Sequence, residues 1–69
     1  MPKPQKYRDV VSFLRSRGWV LLRRGKGSHE IWGLPDESVK ETIPRHAEVS
    51  AGVIRQLGKK FPDVPREWR

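Results

Sequence analysis

The chain has 69 residues and a mass of 8.1 kDa, which leaves room for one small domain with a single hydrophobic core. It contains no cysteine and two histidines, so disulfides, thiolate metal sites and a structural zinc site are excluded. The longest apolar runs are four residues, far short of the roughly 20 that a membrane-spanning helix needs. We expect a soluble, cytoplasmic protein that uses no cofactor and no metal.

The net charge of +7 is concentrated in the first part of the chain. Residues 1–29 carry eight Lys or Arg side chains and one Asp, whereas residues 30–69 carry seven basic and seven acidic side chains. Such a segregated positive charge is typical of proteins that bind a polyanion. Solubility alone is the alternative explanation, and charge does not distinguish RNA, DNA and an acidic protein as the partner.

A first helix is predicted over residues 6–17. Tyr7, Val10, Val11 and Leu14 follow the i, i+3, i+4, i+7 spacing of an amphipathic helix. Gly18 stands where a left-handed residue would end it. The two prolines within residues 1–5 keep that segment out of the helix, so we expect a short N-terminal extension there.

Three strands are predicted next, over residues 19–24, 29–34 and 39–43, separated by turn-forming residues. Together they form an antiparallel meander. Strict alternation along the first strand places Trp19, Leu21 and Arg23 on one face. The same alternation places Val20, Leu22 and Arg24 on the other.

A second helix is predicted after the sheet, with Ser50 as its N-cap and Gly58 as the residue that closes it. The order of helix, three strands and helix predicts a two-layer α+β domain over residues 6–60, in which both helices cover one face of the sheet. Residues 61–69 contain two prolines and no periodicity, so we expect an extended C-terminal tail.

His29 is the candidate catalytic residue because imidazole is the side chain best suited to proton transfer near neutral pH. It follows a basic, glycine-containing turn that lets a ligand approach the backbone closely. The candidate RNA-binding residues are Arg23, Arg24, Lys26, Gly27 and Ser28. His46 lies in the loop before the second helix, where a structural or capping role is the simpler interpretation.

Other common sites are not supported by the sequence. The glycines form neither a Walker nor a dinucleotide-binding fingerprint, and Ser28 lacks the recognisable partners of a serine hydrolase. The scattered carboxylates are more simply explained as solvated or paired groups than as metal ligands. Trp19 is expected to pack under the helices. Trp32 is expected either to pack or to remain partly exposed and stack on a base.

Several segments together resemble the HicA (YcfA-like) messenger-RNA interferase toxins, over about residues 5–58. They are Gly18-Trp19-Val20, Arg24-Gly25-Lys26-Gly27-Ser28-His29, Ile43-Pro44-Arg45-His46 and Gly52-Val53-Ile54-Arg55-Gln56-Leu57-Gly58. The Lys-Gly-Ser-His turn after a basic strand is the most specific of them. The resemblance implies a double-stranded-RNA-binding-domain-like fold, ribosome-independent cleavage of mRNA with His29 as the catalytic histidine, and a HicB-type antitoxin as partner.

The sequence-based hypothesis is therefore an endoribonuclease toxin of a type II toxin–antitoxin system, with His29 as general base. The alternatives are a non-catalytic RNA-binding module of the same fold and a DNA-binding protein. Glu30 departs from the family pattern, in which a histidine or a similar residue often follows the catalytic histidine. We expect its carboxylate to face solvent; the alternative is a hydrogen bond to the imidazole of His29.

Overall fold

The computed structural model describes residues 2–68 and contains two α-helices and a three-stranded sheet. The elements, in chain order, are β1 (Gln5–Lys6), α1 (Tyr7–Ser16), β2 (Val20–Arg24), β3 (His29–Gly33), β4 (Lys40–Pro44), β5 (Glu48–Val49), α2 (Ala51–Lys60) and a final 3₁₀ turn (Arg66–Trp68). In the described part of the chain, no helix is long and apolar enough to cross a membrane.

Strands β2, β3 and β4 form the predicted antiparallel meander, with β3 in the centre. Both helices cover one face of this sheet, so the predicted two-layer α+β fold, which resembles a double-stranded-RNA-binding domain, is confirmed. The register pairs His29 with Pro44, Glu30 with Ile43 and Trp32 with Glu41. Glu30, Trp32, Glu41 and Ile43 therefore lie on the helix-covered face, and His29 and Pro44 lie on the open face.

The first helix follows the predicted apolar stripe, because Val10, Val11 and Leu14 are all buried against the sheet. Gly18 then adopts a positive φ of 84°, which the turn into the sheet requires. Trp19 and Trp32 are each 2% exposed. The packing expected of Trp19 is confirmed, and the alternative that Trp32 is available to stack on a base is wrong.

The strict alternation predicted for the first strand is wrong. A bulge at Leu22 shifts the register, so that Leu21 lies opposite Trp32 but Arg23 lies opposite Ile31. An extra residue in one strand reverses the facing of all residues after it. Arg24, opposite Glu30, consequently lies on the helix side with Leu21, and Arg23 lies on the open face.

The second helix begins as predicted but ends later. The Ser50 side chain accepts a hydrogen bond from the backbone N–H of Val53, which satisfies one free donor of the first turn. The helix continues through Gly58 to Lys60, so Gly58 does not close it. Helical hydrogen bonding and the packing of Leu57 on the core outweigh the weak helix preference of one glycine.

The extended tail expected for residues 61–69 is wrong for residues 61–68, and Arg69 lies outside the described residues. Val64 and Trp68 are 5% and 4% exposed and belong to the same core as the helices. The ring of Trp68 lies 5.3 Å from that of Phe13, and Arg17 forms an ion pair with Asp63. Burial of an indole outweighs the flexibility that the prolines suggested.

A two-stranded ribbon of β1 and β5 was not predicted from the sequence. It pairs Gln5 with Val49 and Lys6 with Glu48. The expected extension over residues 1–5 therefore includes a strand residue, and Met1 lies outside the described residues. The N–H of Tyr7 also bonds to the carbonyl of Ala47 at 3.1 Å. The start of α1 is thus fixed beside the loop that contains His46.

Candidate active site

The turn between β2 and β3 presents His29 at the first position of β3. The N–H of Gly25 donates to the carbonyl of His29 at 2.9 Å, and the N–H of His29 donates to the carbonyl of Lys26 at 3.2 Å. Gly27 has a φ of 60°, a conformation that glycine adopts without the strain of a side chain. These bonds and the Gly27 turn fix the backbone on both sides of Ser28.

His29 is exposed and its side chain lies on the open face of the sheet. The neighbouring positions on this face are Ile31 on the same strand and Pro44 on β4. Within residues 2–68, no helix covers this face. The imidazole is therefore accessible to a ligand without any rearrangement of the core.

The structure brings His46 to the same turn. The N–H of Arg45 donates to the carbonyl of Ser28 at 2.6 Å, which fixes the loop after β4 against the hairpin. The Ser28 Oγ and the Nε2 of His46 are then hydrogen bonded at 3.1 Å. Two histidines separated by 17 positions therefore flank one serine. This pairing was not predicted from the sequence, although an antiparallel register that places His29 opposite Pro44 would have indicated it.

The predicted basic residues do not form one cluster. Arg23 lies on the open face and forms an ion pair with Glu37 at 3.0 Å. Lys26 is exposed at the tip of the hairpin. Arg24 lies on the other side of the sheet, because of the bulge in β2. The turn itself contributes Lys26, whose backbone carbonyl accepts a hydrogen bond from the N–H of His29.

Glu30 does not face solvent, so that expectation is wrong. Its side chain is 3% exposed and lies under α1, where its Oε1 accepts hydrogen bonds from the Tyr7 hydroxyl at 2.5 Å and from Trp32 Nε1 at 3.1 Å. It points away from His29, so the alternative hydrogen bond to that imidazole does not form. Neighbouring residues of a strand face opposite sides of the sheet, so His29 and Glu30 do not share a face. Trp32 is two positions after Glu30 and lies on the helix-covered side, so Glu30 lies there too.

The environment of Glu30 favours its charged form. Burial acts to raise the pKa of Glu30, but the hydrogen bonds from Tyr7 and Trp32 and the nearby Arg24 and Arg45 outweigh it and lower the pKa below its usual value of 4.5. Burial also raises the pKa of Tyr7, and its hydrogen bond to the Glu30 carboxylate adds to this effect. Near neutral pH, Tyr7 therefore stays protonated and donates to an ionised carboxylate.

The chemistry available on the open face is proton transfer by imidazole. Within residues 2–68, no group of three or more His, Cys, Asp or Glu side chains is arranged to hold a metal ion. The turn brings together the imidazole of His29, the hydrogen-bonded Ser28 hydroxyl and His46 imidazole, and the ammonium group of Lys26. Such a set can accept and donate protons and contact an anion.

The family model described as "HicA toxin of bacterial toxin-antitoxin" matches residues 7–61. This chain belongs to the HicA toxin family. The match spans most of the chain and includes α1, the whole sheet, α2 and both histidines. No curated protein and no solved structure matches the chain. As a HicA toxin, the chain is the toxin component of a toxin–antitoxin system.

Proposed function

We propose that this HicA toxin is an endoribonuclease that cleaves mRNA, with His29 as the general base. His29 takes the proton from a ribose 2′-hydroxyl, and the resulting oxygen attacks the adjacent phosphorus. The bond from phosphorus to the 5′ oxygen breaks, which leaves a 2′,3′-cyclic phosphate on one product and a 5′-hydroxyl on the other. Deoxyribose lacks the attacking group, so DNA is not a substrate.

The observation that carries this proposal is the hydrogen bond between Ser28 and His46. A mechanism with a base alone leaves the 5′ oxygen to depart as an alkoxide, which is a poor leaving group. His46 supplies the missing proton to that oxygen through the Ser28 hydroxyl, which gives up its own proton as it receives one from the imidazole. A module that only binds RNA has no need of two imidazoles at one turn.

The remaining groups of the turn position the substrate. Lys26 contacts the scissile phosphate, and Gly27 lets the RNA backbone approach the turn closely. Arg23 and Arg24 contact flanking phosphates from the two sides of the sheet. The enzyme acts in the cytoplasm, and its partner is a HicB-type antitoxin whose acidic surface covers the basic turn. Co-purification of the two chains from cells that express both tests this partner assignment.

Substitution of each histidine tests the proposal. His29→Ala and His46→Ala should each lower the rate of RNA cleavage by about 10² to 10⁴-fold, which is the usual contribution of general acid or base catalysis. Both side chains are exposed, so the fold should be unchanged. Thr42→Ala is a matched control, because Thr42 is exposed on a neighbouring position of the open face. Cleavage is followed on a labelled mRNA fragment.

The same experiment separates the rival function. If His29→Ala binds RNA and cleaves it as fast as the unsubstituted protein, the catalytic assignment is wrong. If the unsubstituted protein binds RNA but never cleaves it, the chain is an RNA-binding module. Equal binding of RNA and single-stranded DNA with no cleavage of either would favour a general nucleic-acid-binding protein.

A further inference from the structure

A groove on the side of the sheet opposite His29 carries a second concentration of positive charge. It has a volume of about 500 Å³ and lies between α1 and the β2 edge of the sheet. Four arginines from three separate segments line it: Arg8, Arg15, Arg24 and Arg45. Its apolar wall includes Leu21, which is 37% exposed, and the ring of Trp32.

These arginines are available to a ligand. Within residues 2–68, none of the four forms an ion pair within 4.0 Å, whereas Arg17 and Arg23 both do. All four are exposed, and Arg15 lies over the Trp32 ring at 5.4 Å from its centroid, which holds its guanidinium at the groove wall. Unpaired guanidinium groups gathered from α1, β2 and the loop after β4 indicate a site for an anion.

The acidic residue in the groove does not cancel this charge. Glu30 contributes one negative charge, but its Oε1 already accepts two hydrogen bonds, from Tyr7 and Trp32. Four positive charges and one negative charge leave the groove strongly basic.

The groove is continuous with the active site. Tyr7, Arg8 and Arg45 line both this groove and a neighbouring cavity of about 640 Å³ that contains His46. The backbone N–H of Arg45 bonds to the carbonyl of Ser28, next to His29. A chain that occupied the groove and passed Arg45 would arrive at the Ser28–His46 pair.

We infer that this groove binds the phosphodiester backbone of the RNA on one side of the scissile bond. The inference rests on the proposed function for the identity of the polyanion. Spaced arginines suit a ligand that repeats one charge at regular intervals, and guanidinium groups bind phosphate oxygens with two hydrogen bonds at once. The strand lies along α1, crosses the end of the sheet at Arg45 and presents its next phosphate to Lys26 and His29.

The test is a salt titration of RNA binding on a His29→Ala background, so that the probe stays intact. The probe is a labelled single-stranded oligouridylate. Replacing Arg8 and Arg15 by Ala should weaken binding at least about tenfold and reduce the log–log salt slope by roughly 1.4, about 0.7 for each lost phosphate contact. Arg55→Ala with Arg66→Ala is the matched control, because both are exposed arginines outside the groove. It removes the same charge and should preserve the slope.

Two further measurements make the result decisive. Replacing Arg8 and Arg15 together by Lys keeps the charge and should preserve most of the log–log salt slope. A preserved slope in this variant excludes a folding defect as the cause of the lower slope of the Ala variant. Single-stranded oligodeoxythymidylate should lose affinity to the same extent as RNA, because the groove contacts phosphates. Equal slopes for the groove and control variants would overturn the inference, as would an unchanged affinity.

These outcomes are independent of cleavage. If the unsubstituted protein cleaves no RNA but the groove variants still lose phosphate binding, the proposed function fails and the groove assignment stands. If His29→Ala abolishes cleavage while the groove variants bind RNA normally and lose only the antitoxin, the groove is a protein-binding surface and the inference is wrong.

Discussion

The carboxylate of Glu30 connects α1 to the sheet and illustrates how one side chain stabilises a small core. It accepts hydrogen bonds from a helix residue, Tyr7, and a sheet residue, Trp32. Hydrogen bonds to a charged group are stronger than neutral ones, and loss of a partner leaves a buried charge unsatisfied. We therefore assign Glu30 a structural role at the base of the arginine groove.

Glu30→Gln tests this role through the pH dependence of stability. The pKa of Glu30 is lowered in the folded protein, so its charge stabilises the fold at pH values above the unfolded value of 4.5. That contribution is lost as the pH falls through the folded pKa. The unsubstituted protein should exceed Glu30→Gln in free energy of unfolding by about 1–3 kcal/mol near pH 7, and this difference should shrink as the pH falls below 4.5.

Urea denaturation of both proteins across this pH range measures the difference. Asp36 and Glu37 also have lowered pKa values, through hydrogen bonds involving Ser38 and Arg23 respectively, but they are common to both proteins and cancel. Glu67→Gln, at an exposed position, is the control and should match the unsubstituted protein throughout. A Glu30→Gln difference that stays constant with pH would contradict the assignment.

At this scale the sequence predicted the position of His29 at the start of β3, the Ser50 cap and the apolar stripe of α1, because each depends on local spacing. It did not locate Glu30 or His46. The burial of Glu30 depends on which face of β3 the helices cover, and the contact of His46 with Ser28 depends on strand register. Neither the covered face of β3 nor the strand register can be deduced from the residues adjacent to Glu30 and His46.

The C-terminal segment is an element of the fold in its own right. Trp68 packs on Phe13, Val64 is buried in the core, and the N–H of Lys3 bonds to the carbonyl of Trp68 at 2.9 Å. The segment therefore closes the core between the two ends of the chain. A domain of this size buries only about 60% of its unfolded surface, so one indole is a large fraction of its stability.

Trp68→Ala should reduce the free energy of unfolding by about 3–5 kcal/mol, the usual cost of removing a buried aromatic side chain. Arg66→Ala, in the same 3₁₀ turn, should change it by less than about 0.5 kcal/mol, because its side chain is exposed. Thermal unfolding followed by circular dichroism measures both. Equal stability of the two variants would show that the segment is dispensable.

Element order was predictable because the periodicity changes clearly from helix to strand and back. The bulge in β2 and the late end of α2 were not, because both are decided by tertiary packing. The bulge has a functional consequence. Without it, strict alternation would place Arg24 away from Leu21 and outside the groove.

At the scale of the whole molecule, the surface has two parts that meet at one turn. The open face presents His29, and the helix side presents the arginine groove. The Ser28–His46 pair lies at the turn, next to Arg45. Arg45 lies where they join. The basic first part of the chain predicted a polyanion partner, but only the fold shows that Arg45, from the charge-balanced remainder, belongs with those cations.

In the proposed mechanism, a ribose 2′-hydroxyl attacks the adjacent phosphorus under general base catalysis by His29. The most direct test uses an RNA in which the nucleotide 5′ to a mapped cleavage site carries a single 2′-deoxy substitution. The substituted bond should resist cleavage, other sites on the same strand should still be cut, and those products should carry 2′,3′-cyclic phosphate and 5′-hydroxyl ends. Cleavage of the substituted bond at the normal rate would contradict the account.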